Sequence, residues 1–134
     1  MSLSFELMTR KPVMIDSDRT GFEAAVLMHH YGVDSVLVVN REKKPIGILT
    51  EKDMVRFAAT EKILPSSMKV SGIMSSNLVM IDINSTFDKA GKQMIERNVS
   101  SLLVTKEEKV VGIITERDIM AGLLDESRDV PVHS

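Results

Sequence analysis

The stretch Gly47-Ile-Leu-Thr-Glu-Lys-Asp53 occurs a second time as Gly112-Ile-Ile-Thr-Glu-Arg-Asp118. The two heptads differ only by an exchange of Leu for Ile and of Lys for Arg. Glycine, threonine and aspartate thus return at the same three places in a chain of 134 residues. A repetition of this kind indicates that the chain contains an internal repeat.

The repetition extends well beyond the heptads. Val13-Met-Ile-Asp16 corresponds to Val79-Met-Ile-Asp82, and Gly32-Val-Asp-Ser35 corresponds to Asn98-Val-Ser-Ser101. The sequence therefore predicts two copies of a unit of roughly 50 residues. We place the first repeat at residues 5–60, a linker at 61–72, the second repeat at 73–124 and a mobile tail at 125–134.

The first half of each repeat reads as a strand, a helix and a second strand. In the first copy, Val13 to Ile15 is a short apolar run, and Thr20 with Glu23 forms the pattern of a capping box. The helix should run to about Tyr31, and Gly32 suits the left-handed position after its last turn, as Asn98 does in the other copy. Ser35-Val-Leu-Val-Val39 is typical of a strand buried on both faces.

The second half of each repeat reads as a returning strand and another helix. The polar stretch Asn40 to Lys44 predicts a hairpin loop, and Ile46 to Leu49 predicts the strand that returns from it. A helix should follow Thr50. We expect its core positions in the second copy at Ile119, Met120, Leu123 and Leu124, and expect Met28, Met54 and Met94 in the core as well. The predicted fold class is α+β, with two tandem β-α-β-β-α units.

Composition excludes several classes of protein. The chain has no cysteine, which excludes disulfides, cysteine-based zinc sites and thiol catalysis. A net charge of −2 disfavours binding to nucleic acid or to an anionic membrane. No apolar run approaches the roughly 18 residues of a membrane span, and no signal peptide opens the chain. We therefore expect a cytoplasmic protein.

Helix capping is the simplest explanation of the heptad. Thr50 is placed to cap the second helix, and Asp53 three residues later can return a hydrogen bond to the cap. The carboxylate also complements the positive end of the helix dipole. Thr115 and Asp118 should do the same in the second repeat. On this interpretation Gly47 marks only a bulge or a close helix contact.

A ligand site is the second explanation, and it adds to the first. The start of a helix exposes free amides that bind phosphate, and a threonine hydroxyl can donate to a phosphate oxygen. An aspartate one turn later can accept hydrogen bonds from ribose hydroxyls. A glycine leaves room for a flat base. Capping alone explains less well why all three residue types recur, so the heptads are candidate nucleoside-phosphate sites.

Two β-α-β-β-α units that each end in Gly-Ile-x-Thr-x-x-Asp resemble a cystathionine-β-synthase (CBS) domain pair, also called a Bateman module. The resemblance covers about Phe5 to Leu124 and includes two lead-in segments, Met8 to Val13 and Val70 to Met74. It implies a regulatory module, not an enzyme, that binds AMP, ADP, ATP or S-adenosylmethionine in clefts between the two units. No obligatory cofactor is implied. A homodimer is implied, and an unidentified effector protein on another chain would receive the signal.

The resemblance also implies binding roles for particular residues. Asp53 and Asp118 would hold the ribose, and Thr50 and Thr115 would lie near the phosphate. The other candidates come from the heptads, from the lead-in segments and from the start of the central strand. They are Gly47, Gly112, Ile48, Ile113, Lys11, Pro12, Val13, Asn77, Leu78, Val79, Val33, Val99, Ser100 and Ser101.

The sequence departs from the family pattern at one functional position. Nucleotide-binding members often carry a His-Arg pair just before the second strand, where this chain has Asp34-Ser35 and Ser100-Ser101. Asp34 would repel a phosphate. The second site is therefore better suited to phosphate, and Arg10, Lys11 and Lys69 are candidate cations in place of the missing basic pair. A less anionic ligand, S-adenosylmethionine or methylthioadenosine, remains an option.

Other functions are weaker alternatives. Glu51 and Asp53 lie two residues apart at a helix start and face different directions, and neither a nucleophile–base pair nor a Walker loop is present. His29 and His30 point about 100° apart on a helix and cannot jointly bind one metal well. A structural dimerisation module with non-functional sites remains open because the phosphate-binding cations are missing. Nucleic-acid binding is disfavoured.

Overall fold

The structure is a computed structural model that describes residues 11–61 and 67–127. Its strands and helices occur in the order predicted from the sequence. The first repeat contains β1 (Met14–Asp16), α1 (Gly21–Tyr31), β2 (Ser35–Val39), β3 (Pro45–Thr50) and α2 (Glu51–Glu61). The second contains β4 (Met80–Asp82), α3 (Phe87–Arg97), β5 (Ser101–Lys106), β6 (Lys109–Thr115) and α4 (Glu116–Ser127). The α+β class and the two β-α-β-β-α units are confirmed.

Each repeat has its own three-stranded sheet with the same topology. The strand orders are β1-β2-β3 and β4-β5-β6. The first strand pairs with the central strand in parallel, and the third strand pairs with it antiparallel. A register shift follows Val38 in the first sheet and Val104 in the second, so that each heptad glycine comes directly after an irregular step.

The first helices begin and end as the sequence predicts. Glu23 N–H donates to the Thr20 hydroxyl, and the Glu23 carboxylate accepts from Thr20 N–H at 3.4 Å. Gly32 ends α1 with φ of 65°, and Asn98 ends α3 with φ of 52°. Both residues occupy the left-handed region that ends a helix by turning the chain away from its axis.

Each unit builds its core between one face of the sheet and the helices. In the first unit Val36 and Val38 pack with Ala24 and Met28 of α1 and with Leu49 of β3. All five residues of β2 are buried, which confirms the prediction of a strand covered on both faces. The second core has the equivalent strand residues Leu102 and Val104 together with Ala90 and Met94.

The prediction that Met120 and Leu124 of the last helix lie in the core was wrong. Met120 is 66% exposed and Leu124 is 64% exposed, so neither lies in the core, while Ile119 is buried as expected. The helical spacing identified the apolar residues but not which of them turn towards the sheet. Helix α4 also continues to Ser127, so residues 125–127 of the segment expected as a mobile tail are helical. Residues 128–134 lie outside the described residues.

The compact units have borders that differ from those of the sequence repeats. Pro12–Leu78 form one unit, which includes the segment after α2. Val70 and Ile73 of this segment are buried in the first core, around a short 3₁₀ helix at Val70–Gly72. The second unit contains Val79 onward together with Lys11. Of the predicted lead-in to the first repeat, Met8 to Arg10 lie outside the described residues.

Candidate functional site

The heptad of the first repeat forms a reciprocal cap at the start of α2. Asp53 N–H donates to the Thr50 hydroxyl at 3.0 Å, and Thr50 N–H donates to Asp53 Oδ2 at 3.0 Å. Both side chains are half-buried. The capping box predicted from Thr and Asp at this spacing is confirmed, with Asp taking the part that Glu plays at α1.

The second repeat repeats this arrangement at the start of α4. Thr115 N–H donates to Asp118 Oδ2 at 2.9 Å, and Asp118 N–H donates to the Thr115 hydroxyl at 3.4 Å. The Thr115 hydroxyl in turn donates to the same carboxylate oxygen at 3.2 Å. Each heptad therefore holds one carboxylate in a defined orientation at the end of a strand.

Most of the backbone amides at the start of α2 already have acceptors within the protein. Thr50 N–H and Asp53 N–H take part in the cap, and Glu51 N–H donates to the carbonyl of Asp34 at 3.0 Å. These contacts leave the N–H of Lys52 unused. Glu116 N–H donates to the carbonyl of Ser100 at 3.2 Å in the same way. The expectation of several free amides for a phosphate was wrong, because the protein's own acceptors occupy them.

The close contact expected at Gly47 is present, but the Met74–Ser75 segment makes it and not a helix. A Cβ at this position would overlap the Sδ of Met74 and would lie 2.9 Å from the carbonyl oxygen of Ser75. Ser75 is this close because it pairs with the neighbouring Ile48 through two hydrogen bonds of 2.9 Å. In the first repeat, the space beside Gly47 is therefore filled by the chain itself and not left open for a base.

The register of each sheet brings candidate residues from separate segments to one end. Ser35 is the partner of Thr50 across β2 and β3, and the carbonyl of Val13 accepts from Leu37 N–H. Consequently the start of β1, the start of β2 and the end of β3 lie at the same end of the sheet, where α2 begins. The candidates around Val13, Asp34 and Thr50 are neighbours although they are distant in sequence.

The second sheet has the same arrangement. Ser101 is the partner of Thr115, and the carbonyl of Val79 accepts from Leu103 N–H at 2.9 Å. Ser101 is 8% exposed and Ser100 is half-buried. The candidates Val79, Ser100 and Thr115 thus lie at one end of their sheet.

The remaining candidates are divided between packing positions and the surface. Val33 and Val99 are half-buried and pack against their cores, and Ile48 and Gly112 are buried. Pro12, Leu78 and Ile113 are half-buried, whereas Lys11 and Asn77 are exposed. Residues with little exposed surface, above all Val33, Val99 and Ile48, have a clear role in the fold whether or not a ligand binds nearby.

Sequence reasoning missed three contributors. The backbone carbonyls of Asp34 and Ser100 and the strand-like pairing of Ser75 hold the heptads in place, and all three act through main-chain atoms. Main-chain contacts leave no side-chain pattern, so no sequence signal could have identified them. Within residues 11–61 and 67–127, no group of His, Asp and Glu side chains is placed to hold a metal ion. His29 and His30 are both exposed.

Comparison with known proteins identifies the family. The CBS domain model matches residues 3–60 and again residues 70–125. The chain therefore belongs to the CBS domain family and contains two copies of the domain. Within the part of the chain that the structure describes, no helix combines the length and apolar character needed to cross a bilayer.

Similar sequences include proteins of archaea. An uncharacterized protein of Methanocaldococcus jannaschii is 33% identical over 116 residues, which cover 85% of this chain and 62% of that protein. An uncharacterized protein of Methanopyrus kandleri is 31% identical over 121 residues, which cover 89% of this chain and 62% of that protein. The chain thus spans somewhat less than two thirds of the length of these relatives. It also matches 24% of the length of a cystathionine beta-synthase of Dictyostelium discoideum, at 29% identity.

Solved structures with the same fold include ligand complexes. A CBS-domain containing protein of Agrobacterium tumefaciens superposes with a TM-score of 0.81 at 26% identity, covering 91% of this chain and 93% of that one. A CBS domain pair in complex with 5′-methylthioadenosine and S-adenosylmethionine has a TM-score of 0.79 at 23% identity, covering 94% and 98%. A CBS domain protein of Pyrobaculum aerophilum complexed with AMP has a TM-score of 0.77 at 23% identity, covering 96% and 99%.

Proposed function

We propose that this chain is a regulatory CBS-pair module that binds an adenosine-containing ligand at its heptads and passes the signal to a partner protein. The observation that carries the proposal is the oriented, half-buried carboxylate that recurs at the same strand end in both repeats. Asp53 uses Oδ2 for the cap, and its Oδ1 has no hydrogen bond within the described residues. An oxygen held in this way can accept hydrogen bonds from ribose hydroxyls.

The ligand class is supported by structural relatives. AMP in one complex and 5′-methylthioadenosine with S-adenosylmethionine in another share the adenosine group. A site that recognises the ribose through Asp53 or Asp118 would accept all of them, as well as ADP and ATP. The other candidates at the strand ends, which include Val13, Val79 and Ser101, would surround the rest of the ligand.

Regulation follows from ligand binding if the ligand prefers one conformation. A ligand shifts an equilibrium between two states only by its difference in affinity for them. In this proposal the adenosyl ligand stabilises one state of the module, and an effector protein responds to that state. The module itself is not an enzyme, and it acts in the cytoplasm.

A homodimer is part of the proposal, and the exposed apolar residues support it. Phe22 and Val26 lie one turn apart on α1, at 60% and 50% exposure, and Val55 of α2 is 68% exposed. Exposed apolar side chains that neighbour one another, as Phe22 and Val26 do, are typical of protein contacts. Light scattering after size exclusion should give twice the chain mass, and Phe22→Glu should shift it to one chain. A single-chain mass for the unaltered protein would contradict the homodimer.

One alternative has specific support. In the first repeat the fold explains the recurring threonine, aspartate and glycine of the heptad, because Thr50 and Asp53 cap the helix and Gly47 accommodates Ser75. A structural dimerisation module with unused sites would need the same residues. Only a binding measurement separates the two functions.

Thermal unfolding in the presence of ligands is the direct test. AMP, ADP, ATP, S-adenosylmethionine and 5′-methylthioadenosine are compared with GTP. A ligand at 100 times its dissociation constant stabilises the folded protein by roughly 2.7 kcal/mol, which raises Tm by several degrees. The proposal expects a shift with adenosyl ligands and none with GTP. No shift with any of them would favour the structural alternative.

The site assignment needs variants with a matched control. Asp53→Ala and Asp118→Ala should each abolish binding at one site and cost roughly 1 kcal/mol of stability through the lost cap. Glu23→Ala removes a capping carboxylate of the same kind from α1, outside the proposed site. It should lower Tm without changing any ligand shift. Unchanged ligand shifts in the double variant of Asp53 and Asp118 would overturn the assignment.

A further inference from the structure

The segment that follows α2 contacts the first heptad at one end and the start of α1 at the other. We infer that this connecting segment, residues 68–75, transmits ligand binding from the first heptad to α1. An adenosyl ligand displaces Met74 from beside Gly47, and the displacement loosens the start of α1. The inference rests on the proposed function, since it assumes that a ligand binds at the first heptad. It goes further by naming the part of the chain that moves and the helix that responds.

One end of the connecting segment is fixed to the heptad. Ser75 N–H donates to the Ile48 carbonyl, and Ile48 N–H donates to the Ser75 carbonyl, both at 2.9 Å. A Cβ at Gly47 would overlap the Sδ of Met74, so this sulfur occupies the space beside the glycine. A ligand group that lies flat against Gly47 therefore requires Met74 to move.

The other end of the connecting segment is fixed to the start of α1. Gly21 N–H donates to the Met68 carbonyl at 2.9 Å, and Val70 N–H donates to the Arg19 carbonyl at 2.7 Å. Gly21 is the first residue of α1, and the first N–H groups of a helix have no acceptor within the helix. Main-chain atoms of the connecting segment thus hold the start of α1 in place.

The middle of the connecting segment joins its two ends. Met74 N–H donates to the Val70 carbonyl at 2.8 Å, and Ile73 N–H donates to the same carbonyl at 3.0 Å. Val70 and Ile73 are the buried residues of the segment, at 0% and 7% exposure. A displacement of Met74 therefore acts on Val70, which is the residue bonded to Arg19.

The connecting segment can move without unfolding of the unit. Half of its residues are exposed to solvent: Lys69, Ser71, Gly72 and Ser75. Segments with few buried apolar contacts open at a small part of the free energy of global unfolding. Met74 is half-buried, and its unbranched thioether side chain adapts readily to a new environment.

The response reaches an exposed surface of α1. Phe22 follows Gly21 directly and is 60% exposed, and Val26 one turn later is 50% exposed. These are the side chains proposed above to contact a second copy of the chain. A ligand that prefers the displaced state of the connecting segment therefore changes the surface that a partner meets.

A disulfide crosslink tests whether the two ends are coupled. Thr20 and Lys69 form an antiparallel pair, and the hydrogen bonds lie on the residues that flank them. The Cα atoms of such pairs are about 4.5 Å apart, which a disulfide can span. The chain has no cysteine, so Thr20→Cys with Lys69→Cys gives a single crosslink between the connecting segment and α1. Asp118→Ala in the same chain confines binding to the first site.

The oxidised and reduced forms of this variant have the same amino acids, so their comparison reports the crosslink alone. Each form is titrated calorimetrically with AMP and with 5′-methylthioadenosine. The crosslink should weaken binding by about fivefold or more, a factor within the usual range of coupling between two sites. Equal dissociation constants in the two forms would overturn the inference.

Truncation of Met74 should have the opposite effect. Met74→Ala empties the space beside Gly47, so binding at the first site should tighten by about threefold or more, because the competent state is more populated. Leu27→Ala truncates another half-buried side chain of the same core, outside the connecting segment, and should lower Tm without tightening binding. Unchanged or weaker binding in Met74→Ala would show that Met74 does not have to move.

Amide hydrogen exchange measured by NMR locates the movement. Bound ligand should raise the exchange rates of the Gly21, Val70 and Ser75 N–H groups, because their acceptors move away. The N–H of Val33, which donates to the Met28 carbonyl at the far end of α1, should exchange at an unchanged rate. Slower exchange at the first three amides would show that the ligand fixes the segment in place, contrary to the inference.

The outcomes distinguish this inference from the proposed function. If adenosyl ligands bind but the crosslink leaves their affinity unchanged, the connecting segment does not transmit binding and the proposed function stands. If no adenosyl ligand binds to the unaltered protein, both are overturned.

Discussion

The ring of Phe87 occupies the space where a side chain of Gly122 would begin. A Cβ built on Gly122 in α4 would lie 2.6 Å from Cδ1 and from Cε1 of Phe87 in α3. In the alignment of the two repeats, Phe87 corresponds to Gly21 and Gly122 corresponds to Phe57. Gly21 is buried, and Phe57 packs against the first core. At this pair of aligned positions each unit thus has one phenylalanine and one glycine, and the phenylalanine lies on the first helix in one unit and on the second helix in the other.

This contact predicts opposite effects for two helix glycines. Gly122→Ala should destabilise the protein by about 1–3 kcal/mol, because the ring must move out of a well-packed core. Gly91→Ala should stabilise it by about 0.5–1 kcal/mol, because its Cβ would meet only Ile119 Cγ2 at an ordinary 3.8 Å and alanine favours the helix. Urea unfolding measures both. Stabilisation by both substitutions would show that the ring adapts freely.

The crossing of the Met74–Ser75 segment over Gly47 predicts a second sensitive position. Gly47→Ala should destabilise the protein by about 1–3 kcal/mol, since the methyl group would lie 2.9 Å from the Ser75 carbonyl oxygen. Met74→Ala in the same chain should relieve only part of the loss, because the backbone carbonyl remains. Gly72→Ala is the matched control, as its Cβ would meet only the flexible end of Met68 at 3.3 Å. Equal Tm losses at positions 47 and 72 would contradict this explanation.

The tip of the β5–β6 hairpin has two residues in an unfavourable conformation. Glu107 and Glu108 have φ of 50° and 68°, between the paired residues Lys106 and Lys109. Two-residue hairpin turns with positive φ at both positions strongly prefer Asn-Gly. Replacing the pair with Asn-Gly should stabilise the protein by about 1 kcal/mol or more, since left-handed φ costs other residues roughly that amount. Replacing it with Gln-Gln changes the charge alone and should not raise Tm comparably.

Asp88 predicts a contribution to stability that depends on pH. The hydrogen bond from the Thr86 hydroxyl lowers the pKa of the Asp88 carboxyl below its ordinary value of 3.8. The folded state therefore binds this proton less tightly than the unfolded state does. The resulting stabilisation is present above the unfolded pKa and is lost as the pH falls through the lower folded value.

Substitution of Asp88 tests this linkage. Urea unfolding between pH 7 and pH 2 compares the unaltered protein with Asp88→Asn. The difference in unfolding free energy should be largest above about pH 4 and should shrink as the pH falls. Two parallel curves across the range would show that the Asp88 carboxylate makes no contribution linked to its ionisation.

The local elements could be read from the sequence because their causes are local. Thr20 with Glu23 and Thr50 with Asp53 define helix starts through contacts across three residues, and Gly32 and Asn98 define helix ends through their own backbone angles. The apolar run of β2 needs no partner to identify it as a buried strand. The repetition itself established that both units have the same topology.

The arrangement of the candidate site required the tertiary structure. Hydrogen-bond register decides that Ser35 lies beside Thr50, and it brings the Asp34 carbonyl to the first turn of α2. The side-chain pattern does not indicate that the main chain of Ser75 lies beside Gly47. Likewise, helical spacing placed Met120 in the core, although only the packing of α4 on its sheet decides which apolar side chains are buried.

The amino-acid sequence by itself determined the repeat, the order of strands and helices, and the capping boxes at the starts of α1, α2 and α4, because each depends on contacts between residues close in the chain. The tertiary structure decided which of the recurring heptad residues are needed by the fold, and which groups remain available to a ligand. It could do so because these answers depend on main-chain atoms from segments far apart in sequence, whose meeting is a property of the folded chain alone.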